Sequence, residues 1–391
     1  MEVQNAIVLG GGGARAAYQV GALRAIARVR GRRGALPFPV VCGTSAGAIN
    51  AVALAQHAND FRCAVARLLR WWRRVHVGEV YRADFATLSR HSAQFLASVL
   101  TGTRPPPGVA SVLDNAPLAE LLKREFDFRA VGRQVDAGHL RALSINATSY
   151  TTGHAVSFFQ GATSLAGWHR TRRRGEHARL SRAHLLASTA IPFLFAPGRI
   201  GADYFMDGSV RQLAPLSAAL NLGARRIMVI AVGQFGGQRA PPGGGSARYP
   251  SFAQAAGHAL STIFLDNLAA DIERMMQVNR LVDLISLDDL AASRMNVGHV
   301  DALVLAPSRD LGALALEHAD RLPKAVRTLL RGLGSTQGTG ANLTSYLLFD
   351  RGFCRALIAL GYADTMARRQ EVENFLAGQS MSLPLLPPNF G

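Results

Sequence analysis

Val40-Val41-Cys42-Gly43-Thr44-Ser45-Ala46-Gly47-Ala48-Ile49-Asn50 is the run whose reading decides the fold. An apolar segment of strand type ends in a serine with glycine two residues to either side, and helix-forming residues follow at once. That pattern predicts a sharp strand-to-helix turn that holds Ser45 in a strained conformation. Glycine is required at 43 and 47 because a Cβ there would collide with the crossing backbone. The serine hydroxyl then stands above the sheet at the positive end of the following helix.

Upstream, Val3 to Leu9 is mostly apolar and predicts a buried parallel strand. Gly10-Gly11-Gly12-Gly13 and Ala14-Arg15 follow, then a largely apolar helical stretch to Val29. A glycine loop between strand and helix turns several backbone N–H groups toward one point, so it prefers an anion, either a nucleotide phosphate or an oxyanion formed in acyl transfer. A dinucleotide fingerprint wants a carboxylate about 20 residues beyond the loop, where this chain has Arg28, Arg30, Arg32 and Arg33. A phosphate loop of Walker type wants Lys followed by Ser or Thr, where this chain has Ala14-Arg15-Ala16. The oxyanion reading survives both tests. It gains support because the second strand, Pro39 to Cys42, runs into the serine turn, so both elements open on the same edge of a parallel sheet.

Downstream, residues 51 to 135 read as mostly helical with a break at Pro105-Pro106-Pro107-Gly108. Trp71 and Trp72 lie among Arg67, Arg70, Arg73 and Arg74, which suits subdomain packing or a lipid interface. Strand character resumes at Arg141 to Ala147 and Ala155 to Phe159. Ala187-Ser188-Thr189-Ala190-Ile191-Pro192 closes a helix, and Tyr204-Phe205-Met206-Asp207-Gly208-Ser209 brings an aspartate to a glycine turn. Asp207 is the best base candidate. Ile227 to Val232 and Asp301 to Ala306 are further buried strands, and Phe264 to Leu281 is a long helix. Gln238 to Ala247 and Gly332 to Gly340 are expected as surface loops, and Leu343 to Leu376 as a helical appendage.

The chain's 391 residues, 49% of them hydrophobic, are ample for a large α/β core. No apolar run is long enough to cross a bilayer and no signal segment opens the chain, so the expected location is cytoplasmic, with peripheral membrane association as an option. Cys42, Cys63 and Cys354 are too few and too scattered for a disulfide framework or a metal cluster. A net charge of +17 implies attraction to phosphate, whether of anionic lipid or of nucleic acid. The densest basic cluster, Arg170, Arg172, Arg173 and Arg174, reads either as a solvated loop or as a polyanion patch. No nucleic-acid reader module is present, so no nucleic-acid partner is expected, and a basic nucleic-acid-binding protein stands as the alternative from a different class.

Taken together, Gly11-Gly12-Gly13-Ala14-Arg15, Gly43-Thr44-Ser45-Ala46-Gly47, Asp207-Gly208 and the Ala-Ser-x-Ala-x-Pro run resemble the patatin-like phospholipase and acylhydrolase family. The resemblance spans Val3 to Val232. It implies a three-layer α/β/α fold with a central, mainly parallel sheet and a nucleophile elbow after an early strand, in a catalytic domain over residues 1–331. A glycine-rich linker and C-terminal helical extension are expected over 332–391. It further implies a lipid acyl hydrolase with Ser45 as nucleophile, Asp207 as its dyad partner, and an oxyanion hole from Gly11, Gly12, Gly13 and Ala46. No cofactor or metal is implied, and the partner is a lipid substrate. Arg15 is assigned to loop or substrate positioning, with solvation at a helix end as the alternative. The chain departs from the family's habit at Ala16 and Ser209, where glycine is common. A soluble carboxylesterase or acyltransferase is the alternative within the enzyme class. A Ser-His-Asp enzyme using His258, His299 or His318 is disfavoured because Ser45 follows only the second strand.

Overall fold

The computed structural model describes residues 4–31, 33–82, 111–211, 215–233, 267–286, 298–332 and 340–379, with a few isolated positions between them. Three expected features, the break at 105–108, the loop at 238–247 and most of that at 332–340, lie outside the described residues, as does His258.

Strand β1 (Gln4–Leu9) leads through the glycine loop and a short 3-10 turn at Gly13–Ala16 into helix α1 (Ala17–Arg30). Strand β2 (Val40–Thr44), buried at every residue, runs into α2 (Ala46–Ala55). Helices α3 (Phe61–Trp72), α4 (Val77–Val80), α5 (Ala116–Glu125) and α6 (Phe128–Asp136) follow. The chain then returns to the sheet with β3 (Ala142–Ser149) and β4 (Ala155–Gly161). Asp60 and Asp127 cap α3 and α6, accepting the N–H groups of Cys63 and Arg129 that the first helical turn leaves unbonded.

Strands β5 (Trp168–Arg170) and β6 (Arg173–His177) form an edge hairpin. The arginine cluster expected as a solvated loop or a patch is therefore paired backbone, with Arg172 at φ 58° in the turn. Tertiary pairing of β6 to β4 overrides the weak strand propensity of an arginine run. Trp168 is buried and stacks on Phe159, with ring centroids 5.3 Å apart.

Helix α7 (Arg182–Ser188), strands β7 (Gly198–Ile200) and β8 (Asp203–Asp207), helix α8 (Ser217–Asn221) and strand β9 (Ala224–Ile230) complete the central part. Helix α9 (Asn267–Val282), β10 (Asp301–Leu305), α10 (Leu311–Leu316), α11 (Lys324–Gly332), α12 (Gly340–Leu347), α13 (Arg351–Ala367) and α14 (Arg369–Leu376) follow.

The sheet order is β10-β9-β1-β2-β3-β4-β6-β5, with β7 and β8 attached to the far end of β3. The first five strands are mutually parallel, and β4 reverses direction on β3. Helices cover both faces, so the central strands read as continuous apolar runs. The fold is α/β with a mainly parallel sheet and a C-terminal helical region.

That C-terminal region packs against α1. Gly21 of α1 and Gly361 of α13 let the two helices touch backbone to backbone; a Cβ on either would lie 2.1 Å from a carbonyl oxygen of the other helix. Phe353, Leu357 and Ile358 of α13 are buried in the same apolar cluster as Ile7 and Leu9 of β1. The end of the chain is tied to the sheet by buried Arg226, which bonds Asp301 Oδ2 at 2.7 Å and donates to the carbonyls of Phe375 and Gln379, each at 2.9 Å. Removing one member of such a buried pair leaves an uncompensated charge.

Candidate active site

Two strand ends meet on one neighbour. β2 pairs with β3 up to Thr44 opposite Asn146, and β8, running the other way, pairs with the next residues of β3 and ends with Asp207 opposite Ala147. The turn after β2 carries Ser45. The fold thus places Ser45 and Asp207 at one point of the sheet's carboxyl edge, although the sequence separates them widely. Gly208 marks how tight the meeting is: a Cβ there would lie 2.3 Å from the Asn146 carbonyl oxygen and 2.9 Å from Thr44 Cγ2.

Ser45 is the sharp turn that its sequence predicts. Its φ of 54° and ψ of −131° are strained for any residue with a side chain. A Cβ on Gly47 would sit 2.3 Å from the Leu9 carbonyl oxygen and 2.5 Å from that of Gly10, so close backbone approach is what glycine supplies here. Two residues hold the turn. The Ser45 N–H donates to Ser188 Oγ at 2.9 Å, and Ser188 Oγ donates in turn to the Asn146 carbonyl at 2.6 Å. Asn146 Nδ2 donates to Thr44 Oγ1 at 3.0 Å. The Ala-Ser-x-Ala-x-Pro run signalled Ser188 without showing its role, and nothing in the sequence signalled Asn146.

The glycine loop lies against Ser45. A Cβ on Gly11 would be 3.0 Å from Ser45 Cβ and 2.4 Å from Ser209 Oγ, so Ser209 occupies the space beside the loop. Gly10 is bonded to the Ile230 carbonyl at 3.5 Å, whereas Gly11 and Gly12 N–H have no acceptor among the described residues. Ala46 opens α2, where a helix leaves its N–H groups without intrahelical partners. Two adjacent sources of backbone donors therefore border Ser45. Arg15, by contrast, is 2% exposed, which removes helix-end solvation as its role. Its Nε donates to Ser345 Oγ at 2.6 Å, and its guanidinium lies 4.5 Å from the centre of the Tyr346 ring. Gly13, at φ 53°, packs its Cα directly on the Tyr346 carbonyl. Helix α12 thus braces the glycine loop, a contact that no local motif announces.

Asp207 is fully buried. Its Oδ1 accepts the Ser209 N–H at 2.9 Å, while Oδ2 has no hydrogen-bond partner among the described residues. Burial pushes its pKa up to about 6; the nearby Ser45 hydroxyl and the Ser209 donors pull the other way and are outweighed. The Ser45 hydroxyl is near enough to favour the charged carboxylate, yet the contact falls short of hydrogen-bond geometry. A serine, a poised carboxylate and unpaired backbone donors can together carry acyl transfer.

His299 and His318 have partners of their own. His299 Nδ1 pairs with Asp283 Oδ1 at 2.9 Å, and His318 packs on Phe353 with ring centroids 5.9 Å apart. Trp72 is buried and donates from its indole to Asn50 Oδ1 at 2.7 Å, which makes it a core residue. No helix among the described residues is long and apolar enough to cross a membrane.

A family model described as Patatin-like phospholipase matches residues 7–220, more than half of the chain. No curated protein matches the chain significantly.

Proposed function

The chain belongs to the patatin-like phospholipase family, whose members are lipid acyl hydrolases, and on that premise we propose that Ser45 and Asp207 form a dyad cleaving acyl esters of phospholipids or related lipids. The observation that carries this reading is the meeting of β2 and β8 on β3, which sets a strained serine beside a buried carboxylate. In the proposed first step Ser45 Oγ attacks the ester carbonyl carbon while its proton passes to Asp207. The oxyanion is held by the N–H groups of Gly11, Gly12, Gly13 and Ala46, contacts of a kind worth roughly 3 kcal/mol each. The C–O bond to the alcohol then breaks, and Asp207 returns the proton to the departing lyso-lipid. Water, deprotonated by Asp207, attacks the acyl-enzyme and releases the fatty acid with Ser45 regenerated. A neutral site suits this base: desolvation makes Asp207 a better proton acceptor than a solvated carboxylate.

The test is covalent labelling with a fluorophosphonate ester, read by intact mass, alongside fatty-acid release from phospholipid vesicles and turnover of a monomeric short-chain ester. The expected result is one label on the wild type, none on Ser45→Ala, and no release by Ser45→Ala or Asp207→Asn. Turnover should rise when aggregated substrate replaces monomers. Labelling of Ser45→Ala at undiminished rate would remove Ser45 from the mechanism, and turnover confined to monomeric esters would make the protein a soluble esterase.

A further inference from the structure

A cavity of about 430 Å³ lies between α3 and α5, and Ala53 near the end of α2 forms part of its wall. That volume falls in the range of small-ligand sites. Arg67 and Arg70 line it from α3, three residues apart, Arg74 lines it from the turn just beyond that helix, and Arg124 lines it from α5. Its apolar wall includes Leu68, Trp71 and Phe126, the two rings meeting edge to face with centroids 6.5 Å apart.

The carboxylates in this wall are already engaged. Glu79 pairs with Arg124 at 3.2 Å and with His76 at 3.3 Å, and Glu125 pairs with Arg124 at 3.0 Å. Arg67, Arg70 and Arg74 form no ion pair with a carboxylate among the described residues. Like charges lining one cavity repel one another, and a multivalent anion relieves that repulsion while meeting guanidinium forks of matching geometry.

We propose that this cavity is a binding site for a phosphate-bearing ligand, separate from the catalytic centre. The separation follows from α2: Ala53 is eight residues beyond Ser45, about 12 Å along the helix axis. A phospholipid whose head group sat among these arginines would hold its ester bonds out of reach of Ser45. The occupant is therefore an effector or an anchoring lipid, not the molecule being cleaved. The aromatic and aliphatic wall accommodates the organic part of such a ligand, and the arginines take its phosphate.

The experiment measures binding of sodium pyrophosphate by titration calorimetry at fixed ionic strength. In parallel, co-sedimentation is measured with phosphatidylcholine vesicles with and without phosphatidic acid. Wild type is compared with Arg67→Gln/Arg70→Gln/Arg74→Gln and with a charge-matched control, Arg33→Gln/Arg62→Gln/Arg73→Gln, which alters exposed arginines that do not line the cavity. Circular dichroism and short-chain ester turnover verify that both variants fold. The expected result is saturable binding of at least one probe, weakened at least about tenfold in the cavity variant and little changed in the control. Binding of pyrophosphate identifies a soluble phosphate as sufficient, and binding of phosphatidic acid vesicles alone assigns the phosphate to a lipid. Absence of saturable binding to both probes, or equal weakening in the two variants, overturns the proposal.

Discussion

The two ends of α2 handle charge in opposite ways. At its N-terminus Ser45 is 2% exposed, Asp207 is fully buried, and the carboxylate sits among backbone donors and small side chains. Near its C-terminus Arg67, Arg70 and Arg74 are exposed and line an open cavity. Burial raises Asp207 to about 6, whereas the arginines stand in water. One end holds a desolvated carboxylate beside a strained serine. The other presents an exposed set of guanidinium donors around a cavity.

The contrast breaks first at the dry end. Ser45→Ala or Asp207→Asn should lower ester turnover by about a thousandfold or more, measured as fatty-acid release under saturating substrate. In the wild type, turnover should climb with pH through about 6 and level off above it, because only the ionised Asp207 accepts the serine proton.

A second outcome runs against intuition. The folded state holds the Asp207 proton more tightly than the unfolded chain, so wild-type stability falls as pH rises from about 4 through about 6. Asp207→Asn lacks this cost. It should be more stable than wild type at pH 8, by about 3 kcal/mol, with the advantage gone at pH 4, as read from urea unfolding at both pH values. Equal stability of the two proteins at pH 8 would mean that the carboxylate is less desolvated than its burial indicates.

Gly13→Ala tests the brace between the glycine loop and α12. With φ at 53° and a Cβ 2.3 Å from the Tyr346 carbonyl oxygen, it should cost about 1–3 kcal/mol of stability and reduce turnover, both measured on the same preparation. The smallest effect belongs to the wet end. Arg67→Gln/Arg70→Gln/Arg74→Gln should change unfolding free energy by less than about 0.5 kcal/mol per site, because these side chains are exposed. A larger loss would show that they hold the fold together and would erase the distinction between the two ends.

Much of the candidate active site was legible in the chain. Gly43, Ser45 and Gly47 announce a turn because close backbone approach excludes other residues, and Gly10 to Gly13 after an apolar strand announce a donor loop. Asp207 before Gly208 was legible as a candidate, though the same dipeptide marks ordinary turns. Other features were not. Ser188 and Asn146 act through long-range hydrogen bonds, and such bonds leave no periodic trace. Trp71 and Trp72 are neighbours in sequence, yet one lines the arginine cavity and the other is core, because successive helical positions face different surroundings. Likewise Arg170 to Arg174 gave only a charge run, and pairing with β4 made part of it a strand.

The sequence by itself determined the class of fold, the strained serine and the anion-seeking loop, since each rests on local sterics and short-range periodicity. Only the tertiary structure decided that Asp207 meets Ser45, that Tyr346 and Ser345 brace Arg15, and that four arginines share a cavity with Trp71 and Phe126. Those contacts depend on which segments lie side by side in the sheet and between helices. Strand register and helix packing are long-range outcomes of burying the apolar core as a whole, and no single stretch of the chain encodes them.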